Sequence, residues 1–562
     1  MPSSERAEGR YWNYREAIED FLEAREQAAM QAVVARLTGR SNELLSYEDV
    51  AAKLKLSQSR DLGRRDIPLD AIVGSVGRYT DFTRTFLPRH DFDRNRWASV
   101  KAAMGSDRGV PPIDVYKVGD VYFVRDGNHR VSIARLEGAA TIEANVIEVH
   151  TAVPLTPDVR PDDLIVKAEY ADFLEQTHFH DICPGVDLSL TAPGQYERLK
   201  DHIDVHRYFM GLDQKRDVAY AEAVRDWHQE VYLPLVLAIR EQGLLHWFPG
   251  RTEADLYLWV SEQRAALEEE LGWKIRPEAA VNEVAAKEHP TGRQAVGDWR
   301  KTKIADRYTD RLFLDILVPL NGETASWQAL DQALFIARRE RAQVRGLYIV
   351  AGDALRESPE AQAIQAIFQK TCDEAGVPGS LAIESGEIAR KICERAVLTD
   401  MVVLNVAHPP SGGLASLGSG LRTIIWRCAR PVLTVPGWST KLSRALLAYD
   451  GSSKSREALF VATYLAERWQ TALTVVAATD GSRPSPEALR YLHTYLEWHE
   501  VQADFVQASG APGEAVLKTA EERRIELIMM GGYGATPVKE VILGSTVNHV
   551  LRQTPCPVFI CR

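Results

Sequence analysis

Long apolar runs are absent. Nowhere in the 562 residues do about 18 uninterrupted apolar residues follow one another, which argues against a membrane-spanning helix. Cysteine is sparse: the six, at 183, 372, 393, 428, 556 and 561, stand singly, with no CxxC pair. That pattern excludes a disulfide framework and fits a reducing compartment. Positive charge is in deficit, with 67 Lys+Arg against 78 Asp+Glu and a formal net charge of −11. This balance argues against coating nucleic acid through bulk charge, though a local basic groove stays open. The segment MPSSERAEGRYWNYREAIEDF lacks an apolar h-region, so no signal peptide is expected and the expected location is cytoplasmic. A Gly-x-Ser-x-Gly elbow and a Gly-x4-Gly-Lys-Ser/Thr loop are also missing. What remains is ordinary globular composition, 45% apolar and 26% charged. At roughly 150 residues per domain the length suggests three or four domains.

Tyr14, Ile18, Phe21 and Leu22, continued by Val33, Val34 and Leu37, recur at helical spacing and predict a helix over 12–38. A second short helix follows at Ser46–Leu54. A helix-turn-helix is the sharper reading of this pair, but no basic recognition helix follows. Over 61–150 the chain turns β-rich. Ile67-Pro-Leu-Asp-Ala-Ile-Val reads as strand or turn. Pro112–Val118 and Val121–Val124, joined by Gly119-Asp120, read as a hairpin. Then come a turn, a short helix ending at Gly138, and a strand from Ile142. Residues 151–285 read as mainly helical, with Thr252 capping one helix. Residues 286–309 lack apolar periodicity and read as a linker.

The rest is an internal repeat. Leu314-Asp-Ile-Leu-Val-Pro-Leu-Asn-Gly is matched by Ser443-Arg-Ala-Leu-Leu-Ala-Tyr-Asp-Gly, and each copy runs into a helix and then an apolar strand. Continuous apolar strands alternating with helices predict parallel sheets covered on both faces. Two open α/β domains are expected, at 310–437 and 442–562. The second carries Gly531-x2-Gly534-x9-Gly544-Ser545, directly after a predicted strand. That places it at the carboxyl edge of the sheet, where such folds bind ligands. Gly534 lets backbone approach a ligand closely. Gly544, Ser545 and Thr546 offer amides and hydroxyls at a helix start, suited to phosphate oxygens. Asp450 ends the first strand on the same edge and can accept hydrogen bonds from a ribose or base. The plainer reading is that these glycines serve tight turns and helix–sheet packing.

This arrangement resembles the universal stress protein family, whose fold is flavodoxin-like with five parallel strands. Gly531-x2-Gly534-x9-Gly544-Ser545 matches the motif of its ATP-binding branch, and Asp450 stands at that branch's strand-one Asp. The resemblance implies ATP as ligand, with Mg²⁺ accompanying the triphosphate, and backbone contacts from Met530 and Thr546. Thr554-Pro-Cys-Pro-Val-Phe-Ile resembles the family's final strand, which often pairs across a dimer interface. A homo-oligomer or a pseudo-dimer of the two repeats is therefore expected. The first repeat departs from the pattern: Asn321 replaces the Asp, and Asn405 and His408 replace the two loop glycines. It reads as degenerate, a scaffold rather than a second ATP site.

In the N-terminal half, Asp126-Gly-Asn-His-Arg130 lies between a strand and a helix. Gly127 permits a sharp turn. Gly127 and Asn128 supply backbone at a helix start, where His129 and Arg130 can share a phosphate. A capped helix with a surface His–Arg pair is the bland alternative. The surrounding pattern resembles the ParB/sulfiredoxin superfamily, an α+β fold whose members bind nucleotide phosphates on this loop. Asn128 stands where sulfiredoxin has its Cys, which removes reductase chemistry. Asp-Gly-x-His-Arg is most similar to the free-serine kinase branch. Residues 151–280 look like a bacterial family of unknown function that accompanies this loop.

Other groupings are weaker. His178, His180, Asp181 and Cys183 lack the spacing typical of zinc sites, and His202 and His206 have no Glu between them as in a zincin. Trp247, Tyr257 and Trp259 read as core. The favoured expectation is a nucleotide-binding stress-response or regulatory protein that holds ATP in its second repeat. The rivals are an enzyme (a nucleoside triphosphatase or ATP-dependent kinase) using His129 and Arg130 as catalytic groups, and a DNA-binding regulator.

Overall fold

The computed structural model describes residues 3–38, 42–105, 110–161, 163–288, 311–406, 419–478, 484–508, 510–532 and 546–561. The chain divides into two compact units, 1–236 with 245–258, and 237–244 with 259–562.

The first unit is built on a six-stranded mixed sheet. Its strands are β1 (Leu45–Ser46), β2 (Ser57–Pro68), β3 (Ile72–Ser75), β4 (Ile113–Val118), β5 (Val121–Asp126) and β6 (Thr141–His150), in the order β1-β3-β5-β4-β6-β2. β4 and β5 form the expected antiparallel hairpin across Gly119-Asp120. β4 buries Ile113 and Val115 on a core shared with Ile67, Ile72, Phe82, Phe86, Val131 and Val146. The helix Asn128–Leu136 leaves β5 through Gly127, whose φ is +115°. A Cβ there would lie 2.4 Å from Ile113 Cγ2, so both conformation and space call for glycine. The first helix runs Ser3–Thr38, starting earlier than its apolar stripe. Thr252 caps the helix Glu253–Leu271 reciprocally: Asp255 N donates to Thr252 Oγ1 at 3.1 Å, and Thr252 N donates to Asp255 Oδ2 at 2.9 Å.

Among the described residues, the second unit carries ten strands. They are β7 (Asp315–Leu320), β8 (Gln343–Val350), β9 (Gly379–Ser385), β10 (Met401–Asn405), β11 (Val432–Val435), β12 (Arg444–Ala448), β13 (Ala472–Ala478), β14 (Ala503–Ala508), β15 (Leu527–Gly531) and β16 (Val558–Cys561). The order is β14-β13-β12-β15-β16-β11-β10-β7-β8-β9. Each repeat is thus a five-stranded parallel sheet whose strands, counted along the repeat, lie in the order 3-2-1-4-5, that of a dinucleotide-binding sheet rather than the 2-1-3-4-5 of flavodoxin. The two join antiparallel at β11 and β16, with Leu433 opposite Phe559. The central strands are buried almost throughout, as strands covered on both faces must be. The helices Thr324–Glu340 and Ser453–Trp469 share one core with Val318, Val403, Leu447 and Met529. Val516, Val547 and Val550 cover the other face at Ile528 and Met530.

Buried charge ties the repeats. Glu340 accepts from Tyr464 Oη at 2.8 Å, Trp469 Nε1 at 2.7 Å, Leu312 N at 3.1 Å and Phe313 N at 3.3 Å. A second network anchors the residues just before the helix Pro277–Glu288. Arg276 donates to Asp315 Oδ2 at 2.7 Å and to Asp400 Oδ1 at 2.8 Å, while Arg345 donates to Asp315 Oδ1 at 2.8 Å and to Lys274 O at 2.6 Å. Of the predicted linker 286–309, residues 289–309 lie outside the described residues. No described helix is long and apolar enough to cross a membrane.

Candidate functional site

β12 and β15 are neighbours in parallel register, Leu447 beside Met529, so their carboxyl ends emerge side by side. Asp450 follows β12, and Gly531 ends β15. The Asp450 carboxylate is exposed and accepts from Ser452 N at 2.9 Å, closing an Asx turn into the helix Ser453–Trp469. Ser452 caps that helix by accepting from Ser455 N at 3.2 Å. Gly531 lies against this first turn: a Cβ would sit 2.9 Å from Lys454 Cβ and 3.0 Å from Ser455 N. The close approach of strand end and helix start therefore depends on a missing side chain. Met530 is buried among Ile425, Val547 and Ile560, so only its backbone is available to a ligand. Thr546 begins the helix Thr546–Gln553. Gly534, Gly544 and Ser545 lie outside the described residues.

Residues 441–562 match the model of the Universal stress protein family. The universal stress protein YxiE of Bacillus subtilis is 30% identical over 146 residues, which cover 21% of this chain and 99% of that protein. The chain belongs to the universal stress protein family. Universal stress protein Slr1230 of Synechocystis is 30% identical over 153 residues, 26% of this chain and 52% of that one, so the match spans about half of that relative's length. A universal stress protein of Arabidopsis thaliana, solved with AMP bound, is 19% identical, covering 22% of this chain and 91% of that chain, with a TM-score of 0.18.

The first repeat keeps the backbone plan of the second and changes the side chains. Asn321 makes the same turn as Asp450, accepting from Glu323 N at 3.0 Å, but carries no charge. Asn405 occupies the position of Gly531. Its Nδ2 donates to Val435 O at 3.1 Å, tying the strand end to β11. His408 lies outside the described residues.

In the first unit, Asn128, His129 and Arg130 open the helix Asn128–Leu136 and are all buried. Arg130 is spent on its own loop: Nη2 donates to Asp126 Oδ2 at 2.6 Å, and Nη1 donates to Pro112 O at 2.8 Å and to Pro111 O. It ties the loop to the start of β4. His129 meets residues that sequence spacing could not connect to it. Arg78 Nη1 lies 3.1 Å from His129 Nε2. Arg78 is itself held by Asp93 Oδ1 at 2.6 Å and Asp81 Oδ2 at 2.7 Å. Burial pushes the His129 imidazole down to about 4; Asp93 opposes the shift, and Arg78 and Arg96 add to it. The ring is therefore neutral at neutral pH, and its 3.7 Å approach to Asp93 is not an ion pair. Three buried atoms here have no hydrogen-bond partner among the described residues: Asp93 Oδ2, Asn128 Oδ1 and His129 Nδ1.

The remaining groupings separate. His202 Nδ1 meets Tyr257 Oη at 3.0 Å, while His206 Nε2 meets Asp226 Oδ1 at 2.6 Å. His178 and His180 are exposed, and Cys183 is buried, its thiol pushed up by desolvation. Of the aromatics expected in the core, Tyr257 is buried in T-shaped contact with Trp227, whereas Trp247 is exposed.

Proposed function

We propose that the chain is a nucleotide-binding stress-response or regulatory protein, with ATP held at the carboxyl edge of the second repeat by Asp450, Gly531, Gly534, Gly544, Ser545 and Thr546, and by the backbone of Met530. The observation that carries this reading is the pairing of Asp450 and Gly531. An exposed carboxylate and a strand end that tolerates no side chain meet beside a helix N-terminus, on the edge where parallel sheets take ligands. Asp450 accepts from the ribose or base. The amides and hydroxyls of 544–546 take the phosphates, and Mg²⁺ accompanies the triphosphate. The first repeat, with Asn405 in place of Gly531, serves as the partner sheet of an intramolecular pseudo-dimer. Cytoplasmic residence follows from the same reading.

Calorimetry with ATP on the full chain tests it. Asp450 is exposed and makes a single local bond, so Asp450→Ala should leave the fold intact. Loss of a hydrogen bond to a charged group, about 1.5–3 kcal/mol, should raise the Kd roughly 10- to 100-fold. An unchanged Kd would remove Asp450 from the site.

A second reading rests on the unpartnered polar atoms around His129. In it the loop 126–130 of the first unit, with Gly127 and Asn128 giving backbone, holds a nucleotide phosphate and supports phosphoryl chemistry. Single-turnover assays with labelled ATP and CTP separate the two readings. Turnover lost in His129→Gln and kept in Asp450→Ala belongs to this loop; no turnover with either nucleotide rejects the enzyme.

A further inference from the structure

The loop's histidine is held by a chain of residues that spacing does not link. Asp81 and Asp93 grip the Arg78 guanidinium on Nε and Nη2. The third face, Nη1, is left to point at His129 Nε2 from 3.1 Å. A guanidinium only donates, so the ring nitrogen facing it must accept. The imidazole proton then resides on Nδ1. A second proton on the ring would put N–H against N–H, while the edge of Phe82 packs on the same ring with centroids 5.4 Å apart. The charged groups acting on His129 are Asp93, Arg78, Arg96 and Asp81. Nδ1 itself is buried and meets no acceptor among the described residues, an expensive condition for a donor in a folded protein. Asn128 Oδ1, on the preceding residue, is likewise buried and unpartnered.

We propose that Arg78, oriented by Asp81 and Asp93, is a positioning residue that fixes His129 as the neutral Nδ1–H tautomer, so that the loop presents a hydrogen-bond donor to an acceptor oxygen of a bound ligand. The ligand half rests on the second reading above, in which that oxygen belongs to a nucleotide phosphate. His129 then holds the ligand without exchanging a proton with it, and Arg130, tied to Asp126 and Pro112, holds the loop.

The test is nitrogen NMR on the full chain with ¹⁵N-labelled histidine, the His129 signals being those lost in His129→Gln. The expected spectrum has a pyridine-type Nε2 and a pyrrole-type Nδ1, unchanged between about pH 5 and 8, where an ordinary histidine would titrate. Arg78→Met should give mixed tautomers, the ring still held neutral by burial, and Arg78→Lys, which keeps a donor, should restore the single form. A protonated Nε2 in the unmodified chain, or titration of His129 within that range, overturns the positioning role. So does an Arg78→Met spectrum identical to the unmodified one. The ligand half is read separately by adding ATP: a shift at Nδ1 supports it, and no shift at saturating ATP removes the ligand while the tautomer assignment stands.

Discussion

Burial leaves His129 uncharged in the fold, whereas in an unfolded chain the same ring titrates near its ordinary value. Between about pH 6.5 and 4 the unfolded state therefore binds more protons, and stability falls as the pH drops through that window. The loss should approach about 3 kcal/mol by the bottom of the window. Urea denaturation of the full chain at a series of pH values should display it, and His129→Gln should abolish that component. Glu340 is the opposite kind of residue, a buried carboxylate whose four donors come from both repeats. Glu340→Leu strands Trp469 Nε1 and the Phe313 amide, Leu312 N keeping Tyr464 Oη as acceptor, and should cost about 3 kcal/mol. The shift of the denaturation midpoint measures it; a change below about 0.5 kcal/mol would mean that water replaces the carboxylate.

The elements show which signals a sequence carries. Apolar strand runs, the Gly119-Asp120 turn and the Thr252 cap were legible because each is local: a side chain and its backbone partner lie within a few residues. β2 was not. Ser57-Gln-Ser-Arg-Asp-Leu-Gly-Arg-Arg-Asp has no alternation, and the strand exists because β6 offers it a long antiparallel ladder, Arg60 opposite Glu148 through Pro68 opposite Thr141. In the candidate sites, Asp450 and Gly531 could be read from order along the chain. Arg78, Asp81 and Asp93 could not, since tertiary packing alone brings them to His129. Arg276 is a similar case, joined to Asp400 across more than a hundred residues. Burial pushes the Asp315 carboxyl up, while Arg276 and Arg345 hold it down. Arg276→Met should cost about 3 kcal/mol by leaving buried carboxylates short of a partner. That deficit should shrink on acidification, because a protonated Asp315 needs no cation. A loss of stability independent of pH would instead indicate packing.

At the scale of the molecule, the β11–β16 seam makes two repeats into one continuous sheet, with Thr434 Oγ1 also donating to Val558 O at 3.2 Å. The seam uses up the edges that two separate repeats would otherwise expose. The two halves have diverged within this shared frame. One strand end keeps glycine beside an exposed carboxylate; the other fills that place with Asn405. Hydrogen exchange read by mass spectrometry, on the full chain with and without saturating ATP, tests this division most directly. The account predicts slowed exchange in peptides covering 449–456 and 527–532, with the matching stretches 320–327 and 401–406 unaffected. Protection confined to the first repeat, or none in the second, would contradict it.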